Sequence, residues 1–174
     1  MSTLKLTGNK IDLREISRED TPNILRWRNS ISVKKHFIYQ ETLTKKQHEN
    51  WLKTQIYTHK TAQFIIIESS SNYEIGSAYL RDIDRKNSKA ELGIYIGEID
   101  YLGKGYGREV ILLLLEYGFE KLKLNKIFLR VLKENIKAIK SYEKVGFEIE
   151  GIFKEDVKIN DEYRDIVYMS ILNR

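Results

Sequence analysis

Tyr101-Leu102-Gly103-Lys104-Gly105-Tyr106-Gly107-Arg108 is the stretch whose reading decides the fold. Before it, Lys89 to Gly97 has the composition of a strand. After it, Arg108 to Lys123 reads as a helix with apolar residues on most sides, so it packs on more than one face. Glycines at alternate positions let the backbone turn sharply and come close to a ligand. The first N–H groups of a helix have no partners within it, and the helix dipole places partial positive charge there. A strand–turn–helix of this kind is an anion site suited to a pyrophosphate, to which Lys104 and Arg108 add charge-assisted bonds. Two nucleotide motifs fail on spacing. A Walker A loop needs Gly-Lys-Ser/Thr, but Gly107 is followed by Arg108 and Glu109. A dinucleotide fingerprint needs a third glycine where Arg108 stands, and no acidic residue closes a following strand at the ribose distance. Taken alone, the turn is only moderately specific, and a plain tight connection is the alternative.

Working outward, the N-terminal side reads as a strand at Ile11–Ile16 and a helix to about Asn29, capped at Ser17 or Asp20 with Pro22 in its first turn. Thr44-x-x-Gln47 is a capping box. It opens a helix whose His48, Trp51, Leu52, Gln55 and Ile56 share a face. Strands follow at Phe64–Glu68 and Tyr73–Asp84, joined by the polar turn Ser69 to Asn72. Beyond the glycine turn and its helix come a strand at Lys126–Leu132, a helix at Ile136–Val145 ended by Gly146, and a strand at Phe147–Phe153. Strands at Lys154–Ile159 and Tyr163–Leu172 meet in a hairpin at Asn160-Asp161. This order predicts a single-domain α/β protein, a mixed sheet with helices on both faces.

Composition narrows the class. The chain has 174 residues, enough for one domain with a real core, and 41% hydrophobic with 32% charged residues is an ordinary globular mixture. It has no cysteine, which excludes disulfides, thiolate metal sites and a cysteine nucleophile. No apolar run has signal-peptide character or approaches the roughly 20 residues of a membrane span, so a soluble cytoplasmic protein is expected, with no membrane partner. The net charge of +5 suits solvated lysines or an anionic ligand. Nucleic acid is a weak candidate because the basic residues are scattered.

The second half of the site is Asn135 through Phe147. Asn135 begins a helix, Ala138 and Tyr142 share a face, and Ser141-Tyr142 lie one turn before Gly146. Ala138 is small enough to let a ligand or strand approach. An aromatic contact between helix and sheet is the other account of Tyr142. The two blocks together, in this order, resemble the Gcn5-related N-acetyltransferase superfamily (GNAT), in particular its RimJ/RimL-like branch of ribosomal-protein and polyamine acetyltransferases. The first family block maps onto Leu102 to Gly107 and the second onto Asn135 to Phe147. The resemblance runs over roughly residues 10 to 172, including the closing Gly151…Tyr163-Arg164-Asp165…Met169 hairpin. Leu102 departs from the Arg or Gln usual in the family, and Asp161 stands where Gly is frequent.

The resemblance implies a GNAT-type, mostly antiparallel central sheet and direct transfer of acetyl from acetyl-CoA to an amine, with no metal. It implies that the backbone from Gly103 to Arg108, Lys104 and Tyr106 included, holds the pyrophosphate. The main chain of Tyr95, Ile96 and Gly97 would pair with the pantetheine arm, and one of its amides would polarise the thioester carbonyl. Asn135 would bond the same arm, with Ala138 and Lys144 bordering the cofactor, and Tyr142 would protonate the departing thiolate. Glu91 is the candidate base, because a carboxylate in an apolar strand needs an explanation; an ion pair with Arg81 is the other one. For the acceptor, Trp27-Arg28-Asn29, Tyr39 and His48-x-x-Trp51 resemble acetyltransferases of nucleotide-linked amino sugars; core aromatics with a buried polar neighbour are the alternative. His36, His48 and His59 lack metal-ligand spacing. Amino-sugar nucleotides and protein N-terminal α-amines rank ahead of polyamines, since a basic protein repels a polycation. A homodimer is among the expected states, and a CoA-binding domain without turnover is the non-enzymatic alternative.

Overall fold

The computed structural model describes residues 4–174. One eight-stranded sheet runs in the order β1-β2-β3-β4-β5-β6-β8-β7. The strands are β1 (Lys5–Thr7), β2 (Ile11–Glu15), β3 (Ala62–Glu68), β4 (Tyr73–Asp84), β5 (Lys89–Ile96), β6 (Lys126–Leu132), β7 (Glu148–Ile159) and β8 (Glu162–Leu172). Every neighbouring pair is antiparallel except β5–β6. The mostly antiparallel mixed sheet expected from the sequence is therefore the observed one.

Alternation along the strands sends apolar side chains to both faces. Ile11, Leu13, Phe64, Ile66, Leu92, Leu129 and Val167 pack on one face with α4 (Tyr106–Glu116) and α5 (Ile136–Glu143). Ile65, Ile67 and Tyr95 pack on the other with α1 (Thr21–Asn29), the short α2 (Ile31–Lys34) and α3 (Lys45–Trp51), which runs on into a wide turn at Leu52–Ile56. The continuous apolar run of β3 follows from its covering on both sides.

Most boundaries match the sequence pattern. The Thr44–Gln47 capping box is formed, and the β7–β8 turn places Asn160 and Asp161 at φ 49° and 63°, the left-handed pair of a tight hairpin. Three details differ. β1 is too short to leave a periodic signal. The strands expected to divide at Phe153 and Lys154 are one strand, β7, whose register slips between Phe153 and Val157. The helix after the glycine turn begins at Tyr106, two residues earlier than expected, and its regular part ends at Glu116, giving way to a wider turn through Lys121.

The feature that positions the site is a parting of strands. β5 pairs with β6 only at Lys89, Ala90 and Glu91, while β6 continues along β8 to Leu132. Beyond Glu91 the β6-facing edge of β5 pairs with no strand among the described residues, and the sheet opens.

Candidate functional site

The opening is bordered by the glycine turn at one end and by α5 at the other. Gly103 and Gly105 have φ of 75° and 84°, in the left-handed region that a Cβ makes costly. Gly105 is the N-cap of α4 and supplies no side-chain cap, so the first amides of the helix are left for an external acceptor. A Cβ at Gly103 or Gly105 would meet no atom within 4 Å, so the surface of the turn is open. Lys104, Leu102 and Arg108 are exposed on it, and the Lys104 ammonium lies 5.1 Å from the centre of the Tyr101 ring. Tyr101 also packs on Tyr73 and Tyr106, which fixes the turn against β4.

The free edge of β5 can be assigned by alternation. The Gly97 amide donates to the Ile75 carbonyl at 2.8 Å, and Tyr95 is in register with Ser77. Residues of that parity face β4, so the main-chain groups of Leu92, Ile94 and Ile96 face the opening. Of the three residues expected to meet a pantetheine arm, Ile96 presents its amide to the gap; the Gly97 amide is engaged within the sheet. Ile94, which the sequence reading omitted, shares the free edge, and its side chain is the nearest to Gly107. Gly97 has a different reason for its identity: a Cβ there would sit 2.2 Å from the Trp27 indole.

Across the opening, α5 is capped by Asn135, whose Oδ1 accepts from the Ala138 amide at 3.3 Å. The Asn135 backbone amide donates to the Leu132 carbonyl at 2.9 Å, while its side-chain Nδ2 makes no hydrogen bond among the described residues and stays available as a donor. Tyr142 packs edge-on against Phe147, with ring centres 5.8 Å apart. Burial pushes its phenol well above the ordinary value, so it holds its proton at neutral pH. Ala138 is partly buried against the core beside it, while Lys144 is exposed at the helix end.

Glu91 is 4% exposed on the α1 face, at the point where the strands part. The anticipated ion pair with Arg81 is present, Nε to Oε2 at 2.9 Å, and Arg130 adds a second one, with Nε 3.0 Å from Oε1 and Nη2 3.2 Å from Oε2. Burial pushes the carboxyl up, but the bonds to Arg81 and Arg130 outweigh it and hold the group below the ordinary carboxylate value. Both oxygens are occupied, which makes Glu91 a poor proton acceptor and a strong electrostatic tie.

The acceptor-side residues separate into two groups. Trp27, 1% exposed, donates from Nε1 to Glu98 at 2.7 Å and props the end of β5 through Gly97. Asn29 clamps the Leu43 backbone with two bonds, 2.9 and 2.8 Å. His48, 2% exposed, shares a 3.1 Å contact with the Thr21 hydroxyl, and burial lowers its pKa. These three hold the helices in place. Arg28, half-buried over the Phe37 ring, and exposed Tyr39 take no part in that hydrogen bonding. The sequence reading missed Tyr79. It is in register with Gly93 and lies across it, so closely that a Cβ at Gly93 would fall 2.2 Å from the Tyr79 ring. The glycine opposite an aromatic was the available signal. Among the described residues no group of three or more His, Asp or Glu side chains gathers to hold a metal ion, and no helix is long and apolar enough to cross a membrane.

Comparison with known proteins adds the following. Residues 10–148 match the family model of the acetyltransferase (GNAT) domain. Spermidine N(1)-acetyltransferase of Escherichia coli K12 is 29% identical over 165 residues, covering 95% of this chain and 87% of that protein. Its counterpart from Vibrio cholerae serotype O1 is 30% identical over 165 residues, covering 95% and 94%. The crystal structure of spermidine N-acetyltransferase from Vibrio cholerae in complex with CoA and spermine has a TM-score of 0.88 to this chain at 30% identity, covering 95% and 96%.

Proposed function

The chain belongs to the GNAT acetyltransferase family and is an N-acetyltransferase, and from that premise we propose that it carries acetyl from acetyl-CoA directly to a primary amine of a small molecule. The observation that carries this reading is the parting of β5 from β6, with uncapped α4 amides at one end of the gap and protonated Tyr142 at the other.

In this reading the amides from Gly103 to Arg108 hold the pyrophosphate. Main-chain groups of Ile94 and Ile96 pair with the pantetheine arm, and one of these amides polarises the thioester carbonyl. The Asn135 side-chain Nδ2 donates to the same arm. The amine lone pair attacks the thioester carbon and the carbon–sulfur bond breaks. Tyr142 gives its proton to the leaving sulfur, while the proton lost by the amine goes to water. Glu91 orients Arg81 and Arg130 and takes no proton.

The relatives' names support a polyamine of the spermidine type as acceptor ahead of an amino-sugar nucleotide or a protein N-terminal α-amine. The Vibrio cholerae enzyme has a dodecameric structure, and assembly of several copies is proposed here as well. That enzyme has also been solved with manganese ions; the mechanism proposed for this chain assigns no step to a metal. The test is thiol release from acetyl-CoA with spermidine, a nucleotide-linked amino sugar and a peptide N-terminus in parallel, with the product weighed by mass spectrometry. Tight acetyl-CoA binding with no acetylated product from any amine would leave a non-catalytic CoA-binding domain.

A further inference from the structure

Arg28 is half-buried near the C-terminal end of α1, and its Nη1 is fully buried without a hydrogen-bond partner. Its guanidinium lies 3.5 Å from the centre of the Phe37 ring, and no carboxylate pairs with it among the described residues. Burial lowers its pKa, as expected of a cation stripped of water and given no anion. The Tyr95 hydroxyl shares this surroundings: Phe37 packs on Tyr95 as well, ring centres 5.5 Å apart. Tyr95 is 7% exposed and its hydroxyl also has no hydrogen-bond partner among the described residues. The polar side chain in register with it, Ser77, is engaged, donating to the Phe64 carbonyl and accepting from Gln63. Two buried donors packed on one ring, both unpaired among the described residues, are rare in a folded chain and need a reason.

The surrounding charge is mostly positive. Arg81 and Arg130 share the single carboxylate Glu91, and Arg28 adds a third guanidinium. Glu98, at the same end of β5, is taken by Arg26 and Trp27. Glu41 is exposed and makes no ion pair among the described residues; its pull on Arg28 is the smallest of the effects there and is outweighed by burial.

We infer that Arg28 and Tyr95 form a subsite for an anionic group of the acceptor, so that the amine acetylated is borne on a molecule with a phosphate or carboxylate. Arg28 supplies the planar donor fork suited to either anion, and Tyr95 adds one O–H donor. The subsite rests on the acetyl-transfer reading above, and it parts from the relatives' names on the acceptor's charge. A polycation would bring ammonium groups to a surface already rich in guanidinium.

The experiment measures binding to the CoA-loaded protein by calorimetry and acetylation by thiol release. The probes are glucosamine 6-phosphate, glucosamine, aspartate and spermidine. The pair with and without phosphate isolates the anion, and aspartate separates carboxylate from phosphate. Expected is at least tenfold tighter binding of glucosamine 6-phosphate or aspartate than of glucosamine or spermidine. Arg28→Met should abolish that preference while CoA affinity stays unchanged, and Tyr95→Phe should reduce it severalfold. Arg28→Met should also melt no lower than the parent, because it removes an unpaired buried cation and keeps an apolar contact for Phe37. Lost preference with undiminished melting temperature separates a ligand-binding role from a structural one. Should Arg28→Met fail to fold, Tyr95→Phe carries the test alone. Spermidine bound as tightly as the anionic probes, or a preference unchanged in the variants, overturns the subsite. Anion preference without any acetylated product would sustain the subsite and refute the transfer reading instead.

Discussion

Arg130 reaches back from β6 to Glu91 on β5, Nε to Oε1 at 3.0 Å, across the point where the two strands stop pairing. The ion pair ties the mouth of the opening, and Arg81 from β4 closes it from the other flank. Glu91 is therefore a fastener for the split sheet.

Glu91→Ala leaves two partly buried arginines uncompensated and should cost about 3–5 kcal/mol of stability, measured by denaturant unfolding. The pH dependence has a definite sign. A carboxyl held below its reference value of 4.5 contributes stability that is full above that value and is lost as pH falls through the lower folded value. Glu91→Gln should thus flatten the acid limb of stability and leave the neutral-pH profile of kcat/KM unchanged in shape. Loss of a neutral-pH limb in Glu91→Gln would restore Glu91 as the base.

Tyr142→Phe should lower kcat by about 100-fold or more, with little change in the KM for acetyl-CoA, as removal of a proton donor does. Because burial raises the phenol, the alkaline limb of kcat set by Tyr142 should lie above the ordinary tyrosine value of 10. Full kcat in the phenylalanine variant would remove the acid role.

Gly105→Ala places a Cβ in open space but at φ 84°, so its cost is backbone strain, about 1–2 kcal/mol. The expected readout is a raised KM for acetyl-CoA with the acceptor KM unchanged. Equal effects on both would mean that the turn does not hold the cofactor.

Gly97→Ala drives a Cβ into the Trp27 ring, which is fixed by its bond to Glu98. The overpacking should cost about 1–3 kcal/mol in thermal unfolding. Trp27→Leu combined with Gly97→Ala should recover part of that loss, since it vacates the space the Cβ needs.

What the sequence disclosed depended on range. The glycine turn and the Asn135–Gly146 helix are local: caps, left-handed glycines and helix faces follow from residues a few positions apart, and the structure has them nearly residue for residue. Glu91 stood out as a buried charge, and its pairing with Arg81 was within reach because β4 and β5 are adjacent. Arg130 was not, since it lies 39 positions away on a strand that pairs with Glu91's only briefly. The acceptor-side residues were hardest. Trp27, Asn29 and His48 look like ligand-binding residues in one dimension, yet each is engaged internally, Trp27 with Glu98, Asn29 with Leu43, and His48 through Nδ1 with Thr21. Arg28 stands among them in sequence and makes no side-chain hydrogen bond among the described residues, a lack that no pattern of residues can display.

Initial rates over a grid of acetyl-CoA and acceptor concentrations test the central claim most directly. Direct transfer in the opening between β5 and β6 requires both substrates to be bound together, so the double-reciprocal lines should intersect, and intact mass of the protein held in acetyl-CoA alone should be unchanged. Parallel lines, with an acetylated protein accumulating in the absence of acceptor, would contradict it.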